Sequence, residues 1–238
     1  MPLSDLPSAW DGARVVHLSD LHYGNFRSEW LFRWTVETTN ALAPDLILIT
    51  GDFIMNLPRE GPPAARHLAG LRSRHGVVAV LGDHDFYYAA GRPQTGLEEE
   101  LAHAGVRLLR NDAVEIEGLR LAGTDPWTRK VSTANLERAL TPLEGKPPHI
   151  LLTHSPDMLG PAAAAGVPMM LAGHTHGGQV VIPGYGPPIT HTLVGRAHAS
   201  GWSRRGGTRL YTSRGLASHA SLRFCCLPEL TVFTLRSA

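Results

Sequence analysis

Five short clusters of aspartate and histidine carry the side chains best suited to chemistry: Asp20-Leu21-His22, Gly51-Asp52, Gly82-Asp83-His84-Asp85, His154, and Gly173-His174-Thr175-His176. Each follows an apolar run, namely ARVVHLSDLH (13–22), DLILITGD (45–52), VVAVLGDHD (77–85), HILLTH (149–154) and PMMLAGHTH (168–176). Carboxylate oxygens and imidazole nitrogens without thiolates suit Mn, Fe, Zn or Co in a reactive centre rather than a purely structural zinc. On extended backbone, residues two apart point to the same side, so Asp20 with His22 and His174 with His176 can each converge. Taken singly the clusters are weak signals. An isolated D-x-H is more often a turn with a capping Asp, Asp52 alone a helix cap, and His154 alone a satisfied core histidine. Five in succession, all at the ends of apolar runs, point to one metal centre.

Those runs have little polar alternation, which predicts strands buried on both faces with functional groups gathered where the strands stop. Between them the spacing predicts helices over 28–42, 63–74 and 95–104, the last opening with a Thr95-x-x-Glu98 capping box and closed by Gly105. From Val106 the pattern changes: VRLLRN, AVEIEG and LRLAGTD read as short antiparallel strands joined by tight turns such as Glu117-Gly118. Further helices are expected over 133–140 and 156–165, and strands over 179–182, 209–213 and 229–235. The Gly- and Pro-rich segment 183–207 reads as a long surface loop.

The chain of 238 residues is 43% hydrophobic, enough for one well-buried core, and one domain over 1–238 is expected. Twenty-two basic against 21 acidic residues leave a net charge of +1, so no overall field draws the protein to nucleic acid. The start, MPLSDLPSAWDGARVV, lacks the basic and apolar regions of a signal peptide, and no run approaches the ~18 apolar residues of a membrane helix. A cytoplasmic location is expected. The only cysteines, Cys225 and Cys226, fit neither a disulfide framework nor a C-x-x-C zinc site and read as buried strand residues.

In their order, the five clusters resemble the motifs of the calcineurin-like metallophosphoesterases: D-x-H, G-D, G-N-H-D/E, H and G-H-x-H. GHTHGGQVVIP and the late SRGL and RFCCLPELTVFTL are similar to the bacterial branch containing UDP-2,3-diacylglucosamine hydrolase-like enzymes. The resemblance implies a four-layer α/β/β/α sandwich of two mixed sheets flanked by helices. It also implies two divalent ions, manganese being favoured, the first held by Asp20, His22 and His176, the second by Asp83, His154 and His174, with Asp52 bridging. A hydroxide shared by the ions would attack a phosphodiester or pyrophosphate, and His84 would stabilise the phosphoryl group or protonate the leaving oxygen. Asp85 is expected to orient the His84 ring. The substrate expected is a small phosphoester, of nucleotide, nucleotide-sugar or lipid-linked type, with peripheral membrane contact compatible with the last. Arg196, Arg204 and Arg205 of the 183–207 segment are candidate phosphate contacts.

The chain departs from the pattern at two places. Asp83 stands where Asn is usual, so three carboxylates and one hydroxide balance two divalent ions, where Asn would leave one positive charge. Such a site should hold metal well and attract phosphate less. Met55 replaces an acidic residue common near the catalytic histidine. These departures keep alive a second reading, a binding scaffold of the same fold without turnover. A metal amidohydrolase also uses H-x-H, but near its first strand, whereas here H-x-H comes last.

Overall fold

The apolar runs do form strands, and their alternate faces sort them into layers. The computed structural model describes residues 1–24, 27–87, 92–93, 96–218 and 222–238. Strands longer than two residues are, in chain order, β1 (Arg14–Leu18), β2 (Leu46–Ile49), β3 (Val77–Ala79), β4 (Val106–Leu108), β5 (Asp112–Ile116), β6 (Leu119–Gly123), β7 (Ile150–Leu152), β8 (Met169–Ala172), β9 (Gly201–Arg205), β10 (Thr208–Thr212) and β11 (Thr231–Thr234). One sheet runs β11-β1-β2-β3-β4, parallel except for β11. The other runs β9-β10-β8-β7-β6-β5, parallel at its centre with an antiparallel pair at each edge. The helices are α1 (Ser28–Ala41), α2 (Gly61–Leu68), α3 (Leu97–His103), α4 (Leu136–Leu140) and α5 (Leu159–Ala164).

Three separate apolar cores define four layers. Val16, Leu18, Ile47 and Ile49 pack on Phe32 of α1, Leu68 of α2 and Leu101 of α3. The opposite faces of the same strands, Val15, Leu46 and Leu48, meet Leu121, Ile150, Leu152 and Leu171 of the second sheet. That sheet's outer face, Leu151, Met170 and Leu210, is covered by Leu159 and Ala162 of α5 and by Leu136 and Leu140 of α4. The expected α/β/β/α sandwich is therefore present, because strands with apolar residues at both odd and even positions need a cover on each side.

Several boundaries differ from expectation. β4 is parallel and belongs to the first sheet, since α3 intervenes and returns the chain in the same direction as β3. Of the three strands expected to be antiparallel, β5 and β6 alone pair as a hairpin, turning at Glu117 and Gly118, whose φ of 45° and 82° suit a tight two-residue turn. The second helix begins at Gly61, with prolines in its first turn, and stops at Leu68. α4 starts only after Asn135, whose side chain accepts from the Arg138 amide. Thr95 of the expected capping box lies outside the described residues. The 179–182 stretch makes isolated bridges rather than a strand, and 201–205, expected as loop, is the edge strand β9. Cys225 is exposed at a bend, and Cys226 is buried but outside any strand. Among the described residues no helix is long and apolar enough to cross a membrane.

Leu48 is fully buried between the two sheets. Leu48→Ala should lower unfolding stability by about 2–5 kcal/mol, read as a shift of the urea midpoint.

Candidate metal centre

β1, β2, β3, β7 and β8 end at Leu18, Ile49, Ala79, Leu152 and Ala172, and each candidate ligand lies two to four residues beyond one of them. All these strands point their C-terminal ends to the same edge of the sandwich. The convergence is not achieved on extended backbone as expected. Asp20, His22, Asp52, His174 and His176 have φ of 55°, 45°, 56°, 70° and 50°, the left-handed region that non-glycine residues seldom occupy. Such backbone persists only where surrounding structure enforces it, and it gathers at functional sites. Here the enforcement is a set of main-chain bonds: the Asp20 amide donates to the Gly51 carbonyl (3.0 Å) and the His22 amide to the Asp52 carbonyl (2.9 Å). The glycines of the motifs have a related cause. A Cβ on Gly82 would overlap the Asp52 carboxylate, and one on Gly173 the Ser19 hydroxyl and the Asp20 carboxylate.

Donor atoms of Asp20, His22 and His176 lie within 4.8 Å of one another, as do those of Asp83, His154 and His174. Asp52 stands between the sets: its Oδ2 is 3.3 Å from His22 Nε2 and 3.4 Å from His154 Nε2. Its other oxygen is fixed by the His84 amide at 3.0 Å. Backbone carbonyls steer the imidazoles. His154 Nδ1 meets the Thr50 carbonyl (2.7 Å), His176 Nδ1 that of Ala217 (3.1 Å) and His174 Nε2 that of His191 (3.1 Å). These bonds assign the outward nitrogens as N–H donors and turn the other ring nitrogens inward, the usual outer support of metal-bound histidine. Below Asp20 runs a buried chain: His17 bonds the Thr50 hydroxyl, which donates to Ser19, which donates to Asp20 Oδ2 at 2.6 Å.

The electrostatics are those of a site built for cations. Burial pushes the Asp52 and Asp83 carboxyls upward, but the surrounding histidines, His154 foremost, outweigh it and hold both well below the usual range. Burial also drives His22 down to about 4 and His176 to about 3, so both rings are neutral at pH 7. His154 moves the other way despite its burial, raised by Asp52 and Asp83. Among the described residues no Lys or Arg ion-pairs with Asp20, Asp52 or Asp83. Both nitrogens of His22 and Asp83 Oδ2 are buried without a hydrogen-bond partner. Unpartnered inward donors, excess buried negative charge and a set made only of nitrogen and oxygen fit divalent ions.

The two remaining residues of the clusters separate. His84 faces a cavity of about 470 Å³ above the ligands, and its Nδ1 bonds the Met55 carbonyl. The backbone at position 55 thus supports the ring whatever the side chain there. Asp85, expected to orient His84, spends both carboxylate oxygens on main chain. Fully buried, it accepts from the amides of Gly82 (2.8 Å), Asp52 (2.9 Å), Phe53 (2.9 Å) and Ile54 (3.2 Å), tying the β2 and β3 ends together. Burial, then the Asp52 charge, push its carboxyl up to about 7 against the pull of those amides.

None of the three candidate arginines lines the cavity. Arg204 is opposite Arg209, which is level with Met169 at the start of β8, so roughly 10 Å of strand separates it from the ligand edge. Arg205 lies against Gly160 of α5, and Arg196 stacks over Tyr185, 4.6 Å from its ring centre. The cavity's cations are instead Arg129 and Lys130, beside Thr128, with 188–192 forming the facing wall. Nothing in the motif pattern marks these wall residues or the Ser19–Thr50 chain.

The family described as calcineurin-like phosphoesterases matches residues 13–178. An uncharacterized metallophosphoesterase of Bacillus subtilis, YkuE, is 32% identical over 98% of this chain and 82% of its own length. The Escherichia coli phosphodiesterase YaeI is 29% identical over 93% of this chain and 82% of its own. The Chlamydia trachomatis UDP-2,3-diacylglucosamine pyrophosphatase LpxG is 25% identical over 92% and 82%. Among solved structures, TT1561 of Thermus thermophilus shares the fold with a TM-score of 0.52 at 13% identity, over 83% of this chain and 87% of that one.

Because four main-chain donors converge on Asp85, Asp85→Asn turns an amide against some of them. Unfolding stability should fall by about 2–4 kcal/mol, and metal affinity with it. A loss of turnover at unchanged stability and unchanged metal content would instead assign Asp85 to His84.

Proposed function

Because the chain belongs to the calcineurin-like phosphoesterases, metal-dependent phosphoric ester hydrolases, we propose that it hydrolyses a phosphodiester or pyrophosphate bond at a centre of two divalent ions. The observation that carries this reading is Asp52 Oδ2, nearly equidistant from one inward histidine nitrogen of each donor set. Asp20, His22 and His176 would hold one ion and Asp83, His154 and His174 the other, with Asp52 common to both. When bound, two such ions lower the pKa of an attacking water and neutralise charge on the phosphoryl oxygens. Manganese, favoured by the resemblance, is among the ions that three carboxylates and four imidazoles can hold.

The chain's own groups supply the rest. His84 is held at Nδ1 by the Met55 carbonyl, a bond that survives in both protonation states of the ring, and the protonated ring would give its Nε2 proton to the leaving oxygen. Arg129 and Lys130 stand on the cavity wall to meet the phosphate, in place of Arg196, Arg204 and Arg205. The cavity volume of about 470 Å³ accommodates a nucleotide, a nucleotide-sugar or the head of a lipid-linked phosphate. LpxG, a pyrophosphatase of a lipid-linked nucleotide, supports the last of these. The complete donor sets argue against a scaffold that has lost turnover.

Elemental analysis of protein reconstituted with manganese should give about two ions per chain, and a generic diester should be hydrolysed. His84→Asn should keep both ions and lose about 10²- to 10⁴-fold in kcat, whereas Asp52→Asn should lose metal. Full metal loading with no hydrolysis of mono-, di- or pyrophosphate esters would leave only a binding role.

Asp83 makes a further difference measurable. Removing one negative charge beside the phosphate position by Asp83→Asn should tighten inhibition by inorganic phosphate by about tenfold, at some cost in metal affinity. If this variant loses metal and gains no phosphate affinity, Asp83 is not what restrains anion binding.

A further inference from the structure

One wall of the cavity over the candidate metal centre has no ladder to hold it. Pro188, Ile189, Thr190, His191 and Thr192 line the cavity together, yet this stretch forms neither helix nor strand. Among the described residues, no amide of 189–194 donates to a main-chain carbonyl. His191 moreover has a φ of 52°, left-handed backbone that persists only where its surroundings enforce it.

The enforcement comes from the loops that carry the metal-ligand candidates. In the middle of the wall, the His191 carbonyl meets His174 Nε2 at 3.1 Å. At its start, Gly178, two residues past His176, lies so close that a Cβ there would overlap Pro187 and the Ile189 carbonyl. At its end stands Asp157, three residues past His154. Its Oδ1 accepts from the Thr192 hydroxyl, the Leu193 amide (2.7 Å) and the Val194 amide (3.3 Å). Asp157 is itself fixed, because Pro156–Met158 form a short 3-10 turn whose preceding residue, Ser155, accepts the Asp157 amide on its side chain at 3.2 Å.

A carboxylate that gathers two amides and a hydroxyl replaces the main-chain partners that an irregular segment lacks, and such charge-assisted bonds are the stronger kind. Asp157 is not among the residues lining the cavity. We propose that Asp157 is a positioning residue, which clamps 192–194 to the His154 loop and thereby sets where the 188–192 wall stands against a bound substrate. The role rests on the proposed reaction for its substrate. Losing the clamp changes none of the seven ligand candidates and leaves His84 in place, so the loss falls on substrate binding and spares turnover. All three donors converge on Oδ1, whereas Oδ2 is buried without a hydrogen-bond partner. An uncharged acceptor of the same shape therefore keeps the clamp, which separates geometry from charge.

The test uses manganese-saturated protein and the p-nitrophenyl diester of thymidine monophosphate. Asp157→Ala should raise KM about tenfold with kcat within about twofold of the wild type, and Asp157→Asn should stay within about threefold of the wild-type KM. Amide hydrogen exchange at Leu193 and Val194, read by mass spectrometry without substrate or metal, should quicken about tenfold in the alanine variant. Should that variant unfold, Asp157→Ser, whose shorter side chain stops short of the three donors, carries the same measurements. The proposal is overturned if exchange at 193–194 is unchanged, if KM is unchanged, if kcat falls while KM holds, or if Asn raises KM as much as Ala. Where the wild type binds the diester without hydrolysing it, the proposed reaction fails and the same comparison is made on Kd. A wild type that neither binds nor hydrolyses it overturns both.

Discussion

Three carboxylates, Asp20, Asp52 and Asp83, are buried within reach of one another, and no protein cation pairs with them among the described residues. Removing such charges from water costs several kcal/mol each unless they are compensated, and this requirement organises the rest of the structure. The histidines supply partial compensation, most through Asp52 and Asp83. Backbone amides supply more: the His84 amide on Asp52 and the His174 amide on Asp20. Left-handed backbone at five of the seven ligand positions is a further cost, sustained only because two stacked sheets hold the strand ends in place. Divalent metal bound there would complete the compensation that the protein leaves unfinished.

The ligand types were legible from sequence because the chemistry demands them and because apolar runs announce where strands stop. Asp20, His22, Asp52, Asp83, His154, His174 and His176 all converge. What escaped was every role played by main chain. The Met55 carbonyl on His84 has no side-chain signature, and the substitution of an acidic residue at that position looked like a loss when the supporting atom is a backbone oxygen. Asp85 misled for the complementary reason: adjacent to His84 in sequence, its carboxylate turns away to collect four amides. The arginines 204 and 205 failed because composition suggested a loop where the chain forms an edge strand whose register carries them to the far end of the sheet. Walls of a cavity come from loops, and loop geometry is not encoded in periodicity.

The two departures from the family pattern act on different properties. The Met55 change leaves the backbone support of the His84 ring intact. Asp83 accepts a contact from His154 at 3.1 Å and stands 3.2 Å from His174, so its charge lies inside the second donor set. Coulomb attraction between a carboxylate and a divalent ion strengthens the set, and the same charge repels an incoming phosphate. Retention of ions and tolerance of anions are thus opposed in one residue.

Each donor set also straddles the sandwich. Asp20 and His22 leave the first sheet while His176 leaves the second, and Asp83 leaves the first while His154 and His174 leave the second. An ion in either set would therefore cross-link the sheets at the edge where the inter-sheet core of Leu48, Leu152 and Leu171 ends. The relation runs in both directions. Bound ions stabilise the stacked arrangement by mass action, since the unfolded chain has no such set. Conversely, the packing of that core fixes the separation of donors contributed by opposite sheets. Metal coordination tolerates errors of only about 0.2 Å, so a defect between the sheets too small to unfold the protein would still be felt at the ligands.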